Sequence, residues 1–117
     1  MSASTFPTPL RVQLLHVAEC PHLAVADLRL RVALNATGHD DTAIEWVVVT
    51  TLEQAYELGF RGSPTVLING HDPFATPELH VALACRFYSS DSGPTDAPSI
   101  AQLIDAIQLA LSPEPKA

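Results

Sequence analysis

The run Arg11-Val12-Gln13-Leu14-Leu15-His16-Val17-Ala18-Glu19-Cys20-Pro21-His22-Leu23 is where this 117-residue chain first shows its architecture. As far as Val17 it alternates polar and apolar and then turns continuously apolar, the pattern of a strand entering a buried sheet. Pro21 suits a first helical turn, where its missing N–H removes no bond. Cys20 therefore falls where strand gives way to helix. Backbone N–H groups without intrahelical partners and the positive end of the helix dipole favour the thiolate there, and the thiolate is both nucleophile and metal ligand. A free cysteine elsewhere packs as a small hydrophobe; at this position it points to chemistry.

Downstream, Leu23 to about Asn35 is rich in Leu, Ala and Arg, with Leu23, Leu30 and Leu34 on one stripe and Asp27 and Arg31 spaced to pair. Apolar residues off that stripe predict a helix covered on more than one side, closed by Thr37-Gly38. Ala43–Val49 is a β-branched run of the kind buried on both faces of a sheet. Thr50-Thr51-Leu52-Glu53 reads as a capping box opening a short helix with Leu52, Ala55 and Tyr56 inward, ended by Gly59 in a left-handed cap. Thr65–Ile68 is a short apolar strand between Gly62-Ser63-Pro64 and the turn Asn69-Gly70. The segment from His71 to Ala82 has two prolines and no period, which predicts a long loop and a candidate lid. Leu83–Tyr88 resumes strand composition. Ser99-Ile100-Ala101-Gln102 is a second capping box, before a helix striped by Ile100, Leu103, Ile104, Ile107 and Leu111.

Composition bounds the function. A hydrophobic content of 47% supports a core without cross-links, and the formal charge of −7 disfavours nucleic acid and anionic lipid as partners. Met1–Pro9 lacks the basic and apolar regions of a signal peptide, and no apolar run approaches a membrane span. These features predict a cytoplasmic chain with no membrane or nucleic-acid partner. The expected organisation is one domain over 10–111 with disordered tails at 1–9 and 112–117. Two distant cysteines fit redox or metal chemistry in a reducing compartment. Asn35-Ala36-Thr37 matches a glycosylation acceptor, which without a secretion signal we read as chance.

The element order is β-α-β-α-β-β-α. With Cys20 after the first strand and Gly62-Ser63-Pro64-Thr65 before the third, the chain resembles the thioredoxin fold over residues 10 to 111. Cys20-Pro21-His22 is similar to the Cys-Pro-His-Cys active site of the periplasmic disulfide oxidases, with Leu23 in place of the second cysteine. Ala55-Tyr56-Glu57-Leu58-Gly59-Phe60-Arg61-Gly62-Ser63-Pro64-Thr65 is similar to that family's second helix running into its cis-proline loop. The resemblance implies an α/β domain with a central four-stranded mixed sheet flanked by helices, and a cis Ser63-Pro64 peptide lying against Cys20. Loss of the cysteine at position 23 removes the internal dithiol that releases a mixed disulfide unaided. The chain also looks like small bacterial thioredoxin-like proteins, some grouped under an organomercurial-lyase label.

The expected activity is monothiol thiol–disulfide exchange. Cys20 and His22 are its catalytic candidates, and Pro21, Ser63, Pro64 and Thr65 its substrate-binding residues. The partner is a protein or low-molecular-weight thiol or disulfide, with no cofactor and no resident metal. A protonated His22 would favour the thiolate, whereas a carboxylate at Glu19 would disfavour it. Pro64 withholds an N–H and would leave the Ser63 backbone free to pair with an extended substrate. Cys85 reads as a buried structural thiol starting the fourth strand, far from Cys20, with a Cys20–Cys85 relationship as the other possibility. Soft-metal or organomercurial binding by Cys20 and Cys85 is one alternative function, and a non-catalytic interaction domain is another. His16, His22, His39, His71 and His80 show no metal-ligand spacing, although His71 with Asp72 would suit a cation.

Overall fold

Four consecutive buried residues, Val12 to Leu15, mark β1 (Val12–His16) as the central strand of a three-stranded mixed sheet. The computed structural model describes residues 10–89 and 93–111; the tails expected to be disordered lie outside them. β1 pairs in parallel with β2 (Ile44–Val48) and antiparallel with β4 (Thr65–Ile68). The parallel pair needs a crossover, and α1 (Leu23–Ala36) supplies it. α2 (Leu52–Leu58) then leads into β3 (Arg61–Ser63) and β4, and α3 (Ile100–Leu111) is the last described element. The described residues thus form an α/β fold with three helices. No helix among the described residues is long and apolar enough to cross a membrane.

A single four-stranded sheet is not what forms. β5 (Ala82–Cys85) leaves β4 unpaired on that side and runs parallel to β3 as a separate two-stranded sheet. The turn at Asn69 and Gly70 extends the β4 ladder by one bridge, Ile68 to His71. Asp72 then accepts the Phe74 N–H at 2.9 Å and bonds the Arg86 guanidinium at 2.8 Å. These contacts carry the chain off the β4 edge and return 82–85 beside β3. The segment expected to be a lid is pinned a second time, by Arg61 donating to the Leu79 carbonyl at 2.9 Å.

Apolar burial holds helices on both faces of the main sheet. On one face Val12, Leu14, Val66 and Ile68 pack with Leu30 and Leu34 of α1 and Leu103 and Ile107 of α3. On the other, Leu15 and Leu67 pack with Val49, Ala55 and Phe60. Each such Leu, Ile or Phe contributes roughly 1.5–3 kcal/mol by leaving water.

Several local expectations shift. β2 is an edge strand with Trp46 and Val48 exposed, not a strand buried on both faces; a β-branched run fits either place. Trp46 instead donates its indole N–H to Asp27 at 3.0 Å, and Asp27 also pairs with Arg31 at 2.7 Å. The outer stripe of α1, Val25, Leu28 and Val32, is likewise exposed. The N-cap of α2 is Thr51, one residue later than the Thr50 box predicts, because Gln54 rather than Glu53 reaches back, to the Thr50 N–H at 3.0 Å. Within α2 only Ala55 is buried, while Leu52 and Tyr56 face solvent. The Ser99–Gln102 box forms in both directions, at 2.9 and 3.0 Å. Along α3 the buried residues are Leu103, Ala106 and Ile107, with Ile100 and Leu111 exposed.

Candidate functional site

Cys20 lies just beyond the carboxyl end of β1, half-buried and unoxidised. The segment turns sharply there: Glu19 takes φ 57°, a left-handed backbone that a non-glycine residue rarely adopts. His22 is the N-cap of α1, so Cys20 and Pro21 precede the helix by one turn and do not belong to its first turn. The Leu23 N–H donates to the Cys20 carbonyl at 3.4 Å, and the Ala26 N–H to that of His22 at 3.1 Å. The His22 side chain makes no capping bond, and the first turn of α1 carries no acid. A fourteen-residue helix thus presents the sulfur's segment with a positive end that no acid of its own first turn offsets. His22 Nδ1 instead lies 3.2 Å from the Asp96 carboxylate.

The loop that faces this end of the sheet is Gly62-Ser63-Pro64-Thr65, with Ser63-Pro64 cis. The Val17 N–H donates to Ser63 Oγ at 3.1 Å, tying that loop to the segment leading into Cys20. Ser63, Pro64 and Thr65 are fully buried, which differs from the accessible substrate-binding surface expected of them. Their polar groups are also paired internally. Thr65 Oγ1 donates to the Gly62 carbonyl at 2.6 Å, and the Ser63 carbonyl accepts the Arg86 N–H at 3.0 Å. The Ser63 backbone is therefore not free for a partner strand, because β5 already lies along it, with Ser63 registered against Cys85.

Cys85 also departs from expectation. It ends its strand, it is exposed, and it flanks the proline loop. An antiparallel pairing of β5 with β4, which would carry Cys85 to the end of the sheet far from Cys20, does not form. Gly62 makes the close strand approach possible: its φ is 106°, and a Cβ there would lie 2.7 Å from Arg86 Cβ.

Three residues of this neighbourhood, Arg86, Tyr88 and Asp96, were not foreseen from the sequence, and Asp72 was foreseen only as a cation ligand beside His71. Arg86 is 1% exposed and pairs with Asp72, itself 8% exposed, at 2.8 Å, so Asp72 is committed to an internal cation and not to a site with His71. The guanidinium lies 4.5 Å over the Tyr88 ring, against which Phe74 packs edge-on. Arg86 Nε has no hydrogen-bond partner among the described residues. The Tyr88 hydroxyl donates to the Pro64 carbonyl. Burial raises the Tyr88 phenol above its ordinary value against the lowering pull of Arg86, and Asp72 and Cys20 add to the rise. Cys20 and the Pro64 loop thus share one electrostatic neighbourhood through Tyr88. One signal was available: an arginine inside the apolar run Leu83–Tyr88 demands a buried counter-charge.

A cavity of about 350 Å³ opens beside Arg86 and Tyr88, and neither thiol lines it. Among the described residues no three His, Cys, Asp or Glu side chains gather to hold a metal ion. Compared with known proteins, the chain matches no family model, no curated sequence and no solved structure.

Proposed function

We propose that this chain is a thioredoxin-like protein that carries out thiol–disulfide exchange through Cys20. The observation that carries the reading is a half-buried thiol just before a helix that has no side-chain cap and no acid in its first turn, next to a buried Ser63-Pro64 loop fastened to the same β1 end. Partial burial keeps the sulfur reachable while limiting competing oxidation, and the helix end favours the anion that attacks. The thiolate attacks one sulfur of a disulfide, the other sulfur leaves as a thiolate, and Cys20 is left in a mixed disulfide. Leu23 supplies no thiol to resolve it, so a further thiol must complete the cycle. The exposed ring of Pro21 and the His22–Asp96 pair border the approach. The test is steady-state reduction of a small disulfide with a low-molecular-weight thiol as reductant. Cys20→Ser should abolish the protein-dependent rate, while His22→Ala lowers it without abolishing it. A Cys20→Ser protein that retains the full rate contradicts the proposal.

A further inference from the structure

We propose that Cys85 is the resolving thiol of Cys20, the two forming a disulfide across the Ser63-Pro64 loop during each exchange cycle. The proposal rests on the exchange reading of Cys20 and names the group that this reading lacks. Two tethers bring the cysteines to one loop. From the Cys20 side, the Val17 N–H binds Ser63 Oγ, three residues before the thiol. From the Cys85 side, Ser63 is the ladder partner of Cys85, and the next N–H along β5, that of Arg86, is bonded to the Ser63 carbonyl at 3.0 Å. Neighbouring strands lie about 4.8 Å apart, so the backbone of Cys85 runs alongside the residue that Val17 holds.

Facing residues of a ladder project to the same side of the sheet. The Cβ direction of Gly62 meets Arg86, which assigns those two positions to one side. Ser63, registered with Cys85 just past a register shift in the ladder, turns its Oγ to the Val17 N–H. A third link crosses the loop from the same segment: Tyr88, three residues after Cys85, donates to the Pro64 carbonyl. Cys85 is exposed and unpaired with any other cysteine, so it is free to react.

The chemistry balances without a cofactor. Cys20 attacks a disulfide R–S–S–R′, forming Cys20–S–S–R and expelling R′S⁻, which takes up a proton. The Cys85 thiolate, having lost its proton to solvent, attacks Cys20 Sγ, and RS⁻ leaves and is protonated. The substrate disulfide gains two electrons and the Cys20–Cys85 pair loses two; two equivalents of a small thiol then restore both cysteines. β5 in this scheme is an internal strand bearing its own thiol, laid along the Ser63 edge that a partner strand was expected to use.

The experiment adds one equivalent of an aromatic disulfide that releases a coloured thiolate to the full chain, with mass measurement of the products. The wild type should release two coloured equivalents per chain, at a second-phase rate independent of protein concentration, and carry no adduct. Cys85→Ser should release one and retain the adduct on Cys20. Should the wild type hold its adduct as long as Cys85→Ser does, or link only between chains, the assignment of Cys85 is wrong while exchange by Cys20 stands. Should Cys20 form no adduct in either protein, the exchange reading itself falls, and this one with it.

Discussion

Tyr88 couples the thiol's neighbourhood to the core through a single hydroxyl. Its folded value lies above the ordinary 10.0 because burial disfavours the phenolate. Folding therefore favours the protonated form. That contribution is fully present below about pH 10, and it is lost as the pH rises from there toward the folded value. Wild-type stability should fall more steeply than that of Tyr88→Phe as the pH rises from about 10 to about 11.5, read as the urea midpoint at each pH; equal slopes there would show that the phenol ionises without cost. At neutral pH the same substitution should lower stability by about 1–3 kcal/mol, because the buried Pro64 carbonyl is left without its donor. His22 was readable from the sequence as a companion of Cys20. Its partner Asp96 was not, because it comes from a loop with no spacing relation to position 22.

Two elements show what local sequence decides and what it leaves open. The start of α3 is written in four residues: Ser99 and Gln102 cap reciprocally, and Ser99→Ala should cost about 1 kcal/mol in chemical denaturation. β3 depends on a residue remote in sequence. With Arg86 Cβ 2.7 Å from the position a Gly62 side chain would take, and φ at 106°, Gly62→Ala should cost at least about 1–3 kcal/mol and loosen β5. Hydrogen exchange should then quicken at Arg86, whose N–H is held by Ser63; unchanged protection there would mean that β5 does not depend on this close approach. The strand composition of Ala43–Val49 was plain, yet its edge position was not, since pairing partners rather than propensity separate an edge strand from a central one. Likewise Leu83–Tyr88 signalled a strand, but nothing local told whether it would join β4 or β3.

Across the molecule, the Arg86–Asp72 pair fastens the 71–81 loop and β5 to the main sheet, with Arg86 also reaching the Phe74 carbonyl at 2.9 Å. Removing one partner of a buried pair strands the other charge, so Asp72→Ala should cost about 3–5 kcal/mol. The Arg11–Glu45 pair at 3.6 Å is exposed on both sides, and Glu45→Ala should cost under about 1 kcal/mol. Similar losses for the two, compared by thermal and urea unfolding, would show that the loop is not held by its ion pair. The order of helices and main-sheet strands was legible because strand periodicity, capping boxes and turn residues are local. The second sheet and the proline loop's burial were not, because they follow from one arginine finding one aspartate. The thiol's position was legible for the same local reason that the strand-to-helix switch was. Its reactivity is the claim on which the functional account stands, and exposure and position make opposite forecasts about it. Cys85 is exposed and Cys20 half-buried, so access alone would make Cys85 the faster to react. Peptide-resolved alkylation with limiting iodoacetamide at neutral pH separates the two: Cys20 should be modified first, and preferential modification of Cys85 would contradict an activated Cys20.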